Sequence, residues 1–484
     1  MSTKPDHPTI EDEHFVTLNR HIPNEEDYAL AERHAPLIRF DVNEPFFPLA
    51  AGYTVFREEG KSPSFPRQIT LIEGATAAIE YAVWWDWDMG HLYELEHIWV
   101  YVNDADEVVA VDASWHGGWN PMRAEEGKAP LRGGRAIVYS EPGKHAFAAT
   151  LAPLLDRKEE NVANCGSGAG KGGVLVTDLF KGLIHSRNRE NNRVVHAYLQ
   201  RRSFEPSYTF SDLFDLRQAA LVPWDALKTW IPSRVEWWCR VLDAAIPFGQ
   251  RPVLAIAHRG ASAYAQEGSP EAIRKAAELG SDMVEVDVRF TVDNVPVIAH
   301  DSDLQRVFGV PGNISEMTLE AVKAATPEGK APVLTFAELV KLCREVRIGL
   351  YLDIKAINAE GMVTMTESLR EYGMFNYAIF GSFRPDWVAE IKANIPDAQT
   401  SVLFSSVHVE PVSLALAVGA DYVHPCWERF DTPQDYLTPE WLAAVRAQDL
   451  GIVCWHEERP SVIAALKALG VDGICSDMPD LLVD

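Results

Sequence analysis

The rhythm of residues 253–475 constrains this chain most. Short Val/Ile-rich runs alternate there with Ala/Leu/Glu-rich runs of helical period. The strand candidates are 253–257, 283–288, 295–299, 348–353, 377–381, 400–404, 421–424, 451–455 and 472–475. Helical patterns at 270–279, 336–345, 359–371, 439–446 and 460–469 fall between most of them. Strands separated by helices predict a parallel sheet with crossover connections, and a span of roughly 230 residues suits a (β/α)8 TIM barrel. Nine candidates for eight strands leave one surplus. The link from 288 to 295 is too short for a crossover helix, so strict alternation fails there.

The first half has a different texture. A stretch rich in turn formers, Pro247-Phe248-Gly249-Gln250-Arg251-Pro252, marks the change. Two domains are expected, a β-rich accessory domain over 1–250 and the barrel over 251–484. Residues 36–150 read as β, with strands at 96–102, 108–113 and 135–139 and turn clusters between them. A β-sandwich is the simplest packing for them. Residues 151–246 read as mixed, with a helix over 233–245. The run Gly166-Ser167-Gly168-Ala169-Gly170-Lys171-Gly172-Gly173 invites a phosphate-loop reading but fails it. Cys165 stands where the first Gly belongs, and Gly172 follows Lys171 where a hydroxyl is required.

The chain has 484 residues and a formal charge of −26. An acidic surface of that size repels nucleic acid and anionic lipid, so neither is expected as a partner. A small anionic substrate remains compatible, because a metal ion or an Arg inverts the field of a single pocket. No apolar run is long enough to span a membrane, and residues 1–14 lack the basic start and apolar core of a secretory leader. The six cysteines are scattered without paired spacing. They read as reduced thiols, and the protein is expected to be cytoplasmic. The oligomeric state is left open.

In a barrel the C-terminal strand ends share one mouth. His258-Arg259-Gly260 follows the first strand candidate, Glu285 and Asp287 lie in the second, and His300-Asp301 follows the third. Asp353 and Lys355 close the fourth, and Trp455 closes a late one. Glu285 and Asp287 are two apart in a strand and face one side, where like charges repel unless a cation sits between them. With Asp353 they supply hard oxygen ligands for Mg²⁺ or Ca²⁺, with Mn²⁺ a further option. Arg259 and Lys355 supply positive charge for an oxyanion, and His258 and His300 suit proton transfer near neutral pH. Phosphoester cleavage fits this set better than redox or acyl chemistry.

The same residues carry a resemblance. His258-Arg259-Gly260, Pro270-Glu271-Ala272 as a degraded Pro-Glu-Asn, Glu285-Val286-Asp287, Pro296-Val297-Ile298-Ala299-His300-Asp301, Asp353-Ile354-Lys355 and the closing Gly470-Val471-Asp472-Gly473-Ile474-Cys475-Ser476-Asp477 stand in order. Residues 253–484 resemble the glycerophosphodiester phosphodiesterase family. The resemblance implies a TIM barrel that hydrolyses a glycerophosphodiester, a small-molecule substrate, to glycerol phosphate and an alcohol. It implies His258 and His300 as the acid/base pair, and Arg259 and Lys355 on the phosphate. Glu285, Asp287 and Asp353 would hold the metal, and Trp455 would line the glycerol or alcohol side or pack the barrel. Ala272 departs from the usual Asn, and Asp353 stands where many members carry Glu. Glu457 and Glu458, after His456, either discriminate against anionic alcohols or point to solvent. The attacking group is open between water and the neighbouring glycerol hydroxyl through a cyclic phosphate.

A second polar cluster lies in the first half: Asp86, Asp88, His91, Glu94 and Glu96, followed by His116 and His145 near later strand ends. Glu94 and Glu96 share a strand face. With His91 and an upstream Asp such as Asp88 they form a possible second metal site, set against simple hydrogen bonding of His to Glu. Gly90, His91 and Glu96 match the Gly-His-Arg-His-Asp-Trp-Glu motif of the Nep-like β-sandwich proteins, which residues 81–146 weakly resemble. Trp84, Trp85, Trp87, Trp99, Trp115 and Trp119 are expected in core and interface. Two other readings stand beside the hydrolase. One is a binding protein for a glycerophosphate polymer or lipid headgroup, and the other is a lyase-type phospholipase D that yields cyclic phosphate.

Overall fold

The computed structural model describes residues 13–18, 22–124 and 127–483. Its contacts divide the chain into two compact units, Met1–Ile246 and Pro247–Asp484.

The first unit is mainly β, with two larger sheets on a main hydrophobic core and a two-stranded one of Gly60–Lys61 and Gln68–Ile69. The larger sheet runs, in spatial order, Ala220–Pro223, Ala50–Phe56, Ala77–Trp87, His91–Val102, Val108–Trp115 and Gly118–Pro121. The smaller sheet runs Phe147–Ala148, Arg135–Ser140, Leu37–Phe40 and Asp212–Asp215, with Leu131–Arg132 beside Arg135–Ser140. The sequence reading does not isolate Ala77–Trp87. That strand is buried along its whole length, so it has no polar alternation to betray it. The helix expected over 233–245 begins earlier and spans Trp224–Ala245, continuing through Pro232. It lies on Ala50–Phe56 at Gly52, where a Cβ would meet the Trp224 ring at 2.9 Å. Only a residue without a side chain allows that approach.

The glycine run 166–173 is a clasp rather than an anion cradle. Gly170 and Gly172 donate their N–H groups to the carbonyls of Met89 and Gly90, and Gly168 donates to Ala163. Gly173–Val174 pairs in parallel with His91–Leu92. Trp84, Trp85, Trp87 and Trp99 are buried, whereas Trp119 is 41% exposed and stacks on Arg67.

The second unit closes a barrel of eight parallel strands among the described residues. Around it run Leu254–His258, Met283–Phe290, Gly349–Ile354, Ala378–Ser382, Gln399–Phe404, Tyr422–Pro425, Gly451–Cys454 and Gly473–Ser476, and the last pairs with the first. The surplus candidate is 295–299. Pro296–Ile298 pairs antiparallel with Met283–Phe290 as a hairpin arm, because the five residues between them cannot carry a crossover helix. Local signals set the helices: Thr335 and Glu338 make a reciprocal capping box at the start of Phe336–Val346.

The barrel interior explains the position of the chemistry. Ile256, Met283, Tyr351, Tyr422, Val453 and Cys475 form one buried cluster. Side chains repeat every second residue along a strand. The next inward positions are therefore His258, Glu285, Asp353, His424, Trp455 and Asp477. Apolar residues fill the barrel, and polar ones ring its mouth one step further along each strand.

Candidate active site and ion-binding groups

Glu285, Asp287 and Asp353 are buried at that mouth. Asp287 lies directly opposite Asp353 in the parallel register, and His258 opposite Glu285. One oxygen from each acid lies within 4.8 Å of the others. Burial, then repulsion from Asp287 and Asp353, pushes Glu285 well above its ordinary pKa. Burial also lifts Asp353, to about 6, although Lys355 opposes it. Glu285 Oε1 and Asp353 Oδ1 are buried without a hydrogen-bond partner. Three clustered carboxylates with idle oxygens fit a hard divalent cation, which would remove both the repulsion and the unmet bonding.

Two fixed cations flank the acids. Lys355 Nζ lies 2.6 Å from Asp353 and 3.3 Å from Asp287. Arg259 Nε lies 3.3 Å from Asp287, and its backbone N–H donates to Glu285 at 3.0 Å. Arg259 adopts a φ of 54°. Few non-glycine residues hold this left-handed region, where the backbone is strained.

His258 is almost wholly buried. Its Nδ1 lies 2.6 Å from Asp477 Oδ1, and its Nε2 has no hydrogen-bond partner and sits 3.9 Å from Glu285. Burial holds its pKa below the ordinary value, against the pull of Asp477. The Trp455 ring stands edge-on to His258 at 4.8 Å. His300 pairs through Nδ1 with Asp301 at 2.9 Å. A cleft of about 40 Å³ opens between Arg259, Asp287 and His300.

Several residues at this site carry no role in the sequence reading. Arg306 donates to Asp301 and, through two nitrogens at 2.6 and 2.8 Å, to Glu267. Glu267 also faces Arg259 at 3.3 Å. One guanidinium thus ties His300 to Arg259. Glu271, the acid read as part of the degraded motif, instead lies exposed in the first turn of Pro270–Glu278. Glu457 and Glu458 do not point freely to solvent. Glu457 is buried against Arg459, and Glu458 Oε1 accepts the Asp477 N–H at 2.9 Å.

The first unit brings only part of its expected cluster together. Asp88, His91 and Glu94 offer ligand atoms within 4.8 Å of one another. Lys144 and the Gly90 N–H occupy Asp88 Oδ1, while Asp88 Oδ2 is buried without a partner. Burial, opposed by His91, raises the Glu94 pKa. Glu96 turns to Ser114, His116 pairs with Glu141 at 2.8 Å, and His145 stacks on Trp85 and faces Glu44. Those three belong to neighbouring polar networks rather than to the Asp88–His91–Glu94 group.

The fold and the mouth define the class: a TIM barrel with a carboxylate cluster, flanking cations and two imidazoles at its C-terminal rim. Residues 258–481 match the model of the glycerophosphoryl diester phosphodiesterase family. A glycerophosphodiester phosphodiesterase of Caldanaerobacter subterraneus is 26% identical over 245 residues, covering 48% of this chain and 96% of that one. Glycerophosphodiester phosphodiesterase 1 of Bos taurus is 25% identical, covering 42% of this chain and 71% of its own. Among solved structures, an Oleispira antarctica phosphodiesterase in complex with sn-glycerol-3-phosphate is 22% identical, with a TM-score of 0.42, covering 47% of this chain and 94% of that one.

Proposed function

We propose that the barrel hydrolyses glycerophosphodiesters to glycerol phosphate and an alcohol, using a divalent cation held by Glu285, Asp287 and Asp353. The observation that carries this reading is the three buried carboxylates, with unpaired oxygens, beside the unpartnered Nε2 of His258. When bound, the ion supplies charge neutralisation at the phosphate.

The protein groups do the rest. Arg259 and Lys355 hold the anionic oxygens and the charge that builds in the transition state. Asp477 and Asp301 each take an Nδ1–H, which leaves Nε2 of His258 and of His300 to exchange protons with the reacting oxygens. One imidazole deprotonates the attacking oxygen, and the other protonates the leaving alkoxide. Trp455 closes one wall beside His258.

Assay of glycerol phosphate release tests the reading, and product analysis separates direct hydrolysis from a lyase that stops at cyclic phosphate. His258→Ala and His300→Ala should each lower kcat by about a hundredfold or more. Wild-type rates in both variants would remove the proposed acid/base pair. Asp88, His91 and Glu94 form a second candidate ion site, so Glu94→Ala should lose one bound ion while turnover persists. Unchanged ion content in Glu94→Ala would remove that site. In the described residues no helix is long and apolar enough to cross a membrane, and all six cysteines are buried and unpaired. These support a cytoplasmic setting, which location of a tagged chain would test.

A further inference from the structure

A second donor group stands at the barrel mouth and differs in kind from the carboxylate triad. His456 lies with its ring 4.7 Å from that of His258, at an interplanar angle of 24°. His456 Nε2 is 3.7 Å from Glu458 Oε2 and 3.9 Å from Asp477 Oδ2. Asp477 Oδ1 lies 2.6 Å from His258 Nδ1. His258, His456 and Asp477 offer ligand atoms within 4.8 Å of one another. The nitrogens that face these carboxylates are Nδ1 of His258 and Nε2 of His456, and the opposite nitrogen of each ring is buried without a hydrogen-bond partner.

The chemistry of this set is two imidazole nitrogens and two carboxylate oxygens. Ligands held at ordinary zinc distances in a tetrahedron lie about 3.3–3.4 Å apart. The separations of 2.6, 3.7 and 3.9 Å lie on either side of that figure. All-oxygen sites suit Mg²⁺ and Ca²⁺, whereas imidazole with carboxylate suits Zn²⁺ and its transition-metal neighbours. The barrel mouth thus presents two donor sets of different softness, with His258 at the boundary between them.

We propose that His258, His456, Asp477 and Glu458 bind Zn²⁺ as an inhibitory cation. Occupancy takes His258 Nδ1 away from Asp477, so the imidazole loses the partner that orients it. The inhibitory half rests on the function proposed above, whereas the binding half does not.

The test uses the full chain, freed of metal, and follows Zn²⁺ uptake by equilibrium dialysis. His456→Phe keeps a flat ring against His258 and removes the donor nitrogens. Glu458→Gln keeps an oxygen to accept the Asp477 N–H while weakening the donor set. Beside any Zn²⁺ taken by the acid triad and by Asp88, His91 and Glu94, wild type should hold one equivalent whose affinity falls about tenfold or more in His456→Phe, and also falls in Glu458→Gln. Equal uptake by wild type and a folded variant overturns the site, and Glu458→Gln carries the comparison should His456→Phe not fold. In parallel, glycerophosphodiester turnover in Mg²⁺ or Ca²⁺ is titrated with Zn²⁺, each protein referred to its own zinc-free rate. The half-inhibiting concentration should rise about tenfold in His456→Phe, in step with the lost affinity. Zinc bound through His456 without slowing turnover overturns the inhibitory half. Absence of turnover in Mg²⁺, Ca²⁺ and Mn²⁺ before any zinc is added counts against the proposed function, and leaves the dialysis result to decide the site.

Discussion

His258 Nδ1 and Asp477 Oδ1 lie 2.6 Å apart, joining residues 219 positions distant in sequence. Burial pushes the Asp477 carboxyl up, but hydrogen bonds from His258 and Ser262 outweigh it and bring its pKa down to about 2. Near neutral pH Asp477 is therefore an anion, and an acceptor for one nitrogen of His258. The other nitrogen is left facing the carboxylate cluster. Asp477→Asn keeps the size but not the charge. It should lower kcat about tenfold to a hundredfold with little change in KM. A rise in KM alone would assign Asp477 to substrate binding instead.

Arg306 links the two sides of the cleft, with Asp301 and His300 at one end and Glu267 and Arg259 at the other. Its role is positioning, because it touches neither candidate imidazole. Arg306→Ala should reduce kcat about tenfold or more, and Arg306→Lys should restore part of it. Full activity in Arg306→Ala would show that His300 and Arg259 hold their places unaided.

The acid cluster makes a prediction about stability. Without a cation, Glu285, Asp287 and Asp353 repel one another in a buried setting. Addition of Mg²⁺ or Ca²⁺ should raise Tm, by mass action on the folded state. Glu285→Gln should raise the Tm of the metal-free protein and weaken its response to added ion. A metal-free Tm lower than wild type in Glu285→Gln would contradict this balance.

The first unit should carry a pH signature at His97. This imidazole is buried, and its Nε2 lies 2.9 Å from Ser64 Oγ. Burial lowers its pKa from 6.5 to about 3. The unfolded chain takes up the proton first. The contribution is therefore complete above pH 6.5 and is lost as pH falls toward 3, at about 1.4 kcal/mol per pH unit. Denaturant unfolding of His97→Gln between pH 7 and 4 should show a slope shallower by that amount. Parallel slopes would mean that His97 protonates without unfolding cost.

The barrel and four residues of its inner ring, His258, Glu285, Asp353 and Trp455, were legible because two simple periods generate them, whereas His424 was not read. Helices between strands set the fold, and a period of two along each strand places Glu285 above Met283 and Asp353 above Tyr351. Residues whose role depends on loop paths were not legible. Asp477 meets His258 only when the last strand closes on the first. Glu267 and Arg306 meet only after the loops following His258 and Asp301 fold together. In the first unit, Ala77–Trp87 is buried on both faces and carries no alternation. Glu96, His116 and His145 satisfied the expectation of polar residues near strand ends, but Ser114, Glu141 and Glu44 engage them.

The central claim is that the buried acids of the barrel hold the ion that makes phosphodiester cleavage possible. The most direct measurement is glycerol phosphate release from a panel of glycerophosphodiesters, by wild type and Asp353→Asn, in Mg²⁺, Ca²⁺, Mn²⁺ or chelator. The account predicts ion-dependent release by wild type, abolished by chelator and reduced about a thousandfold in Asp353→Asn. Release that persists in chelator, or an Asp353→Asn protein that works at the wild-type rate, would contradict it.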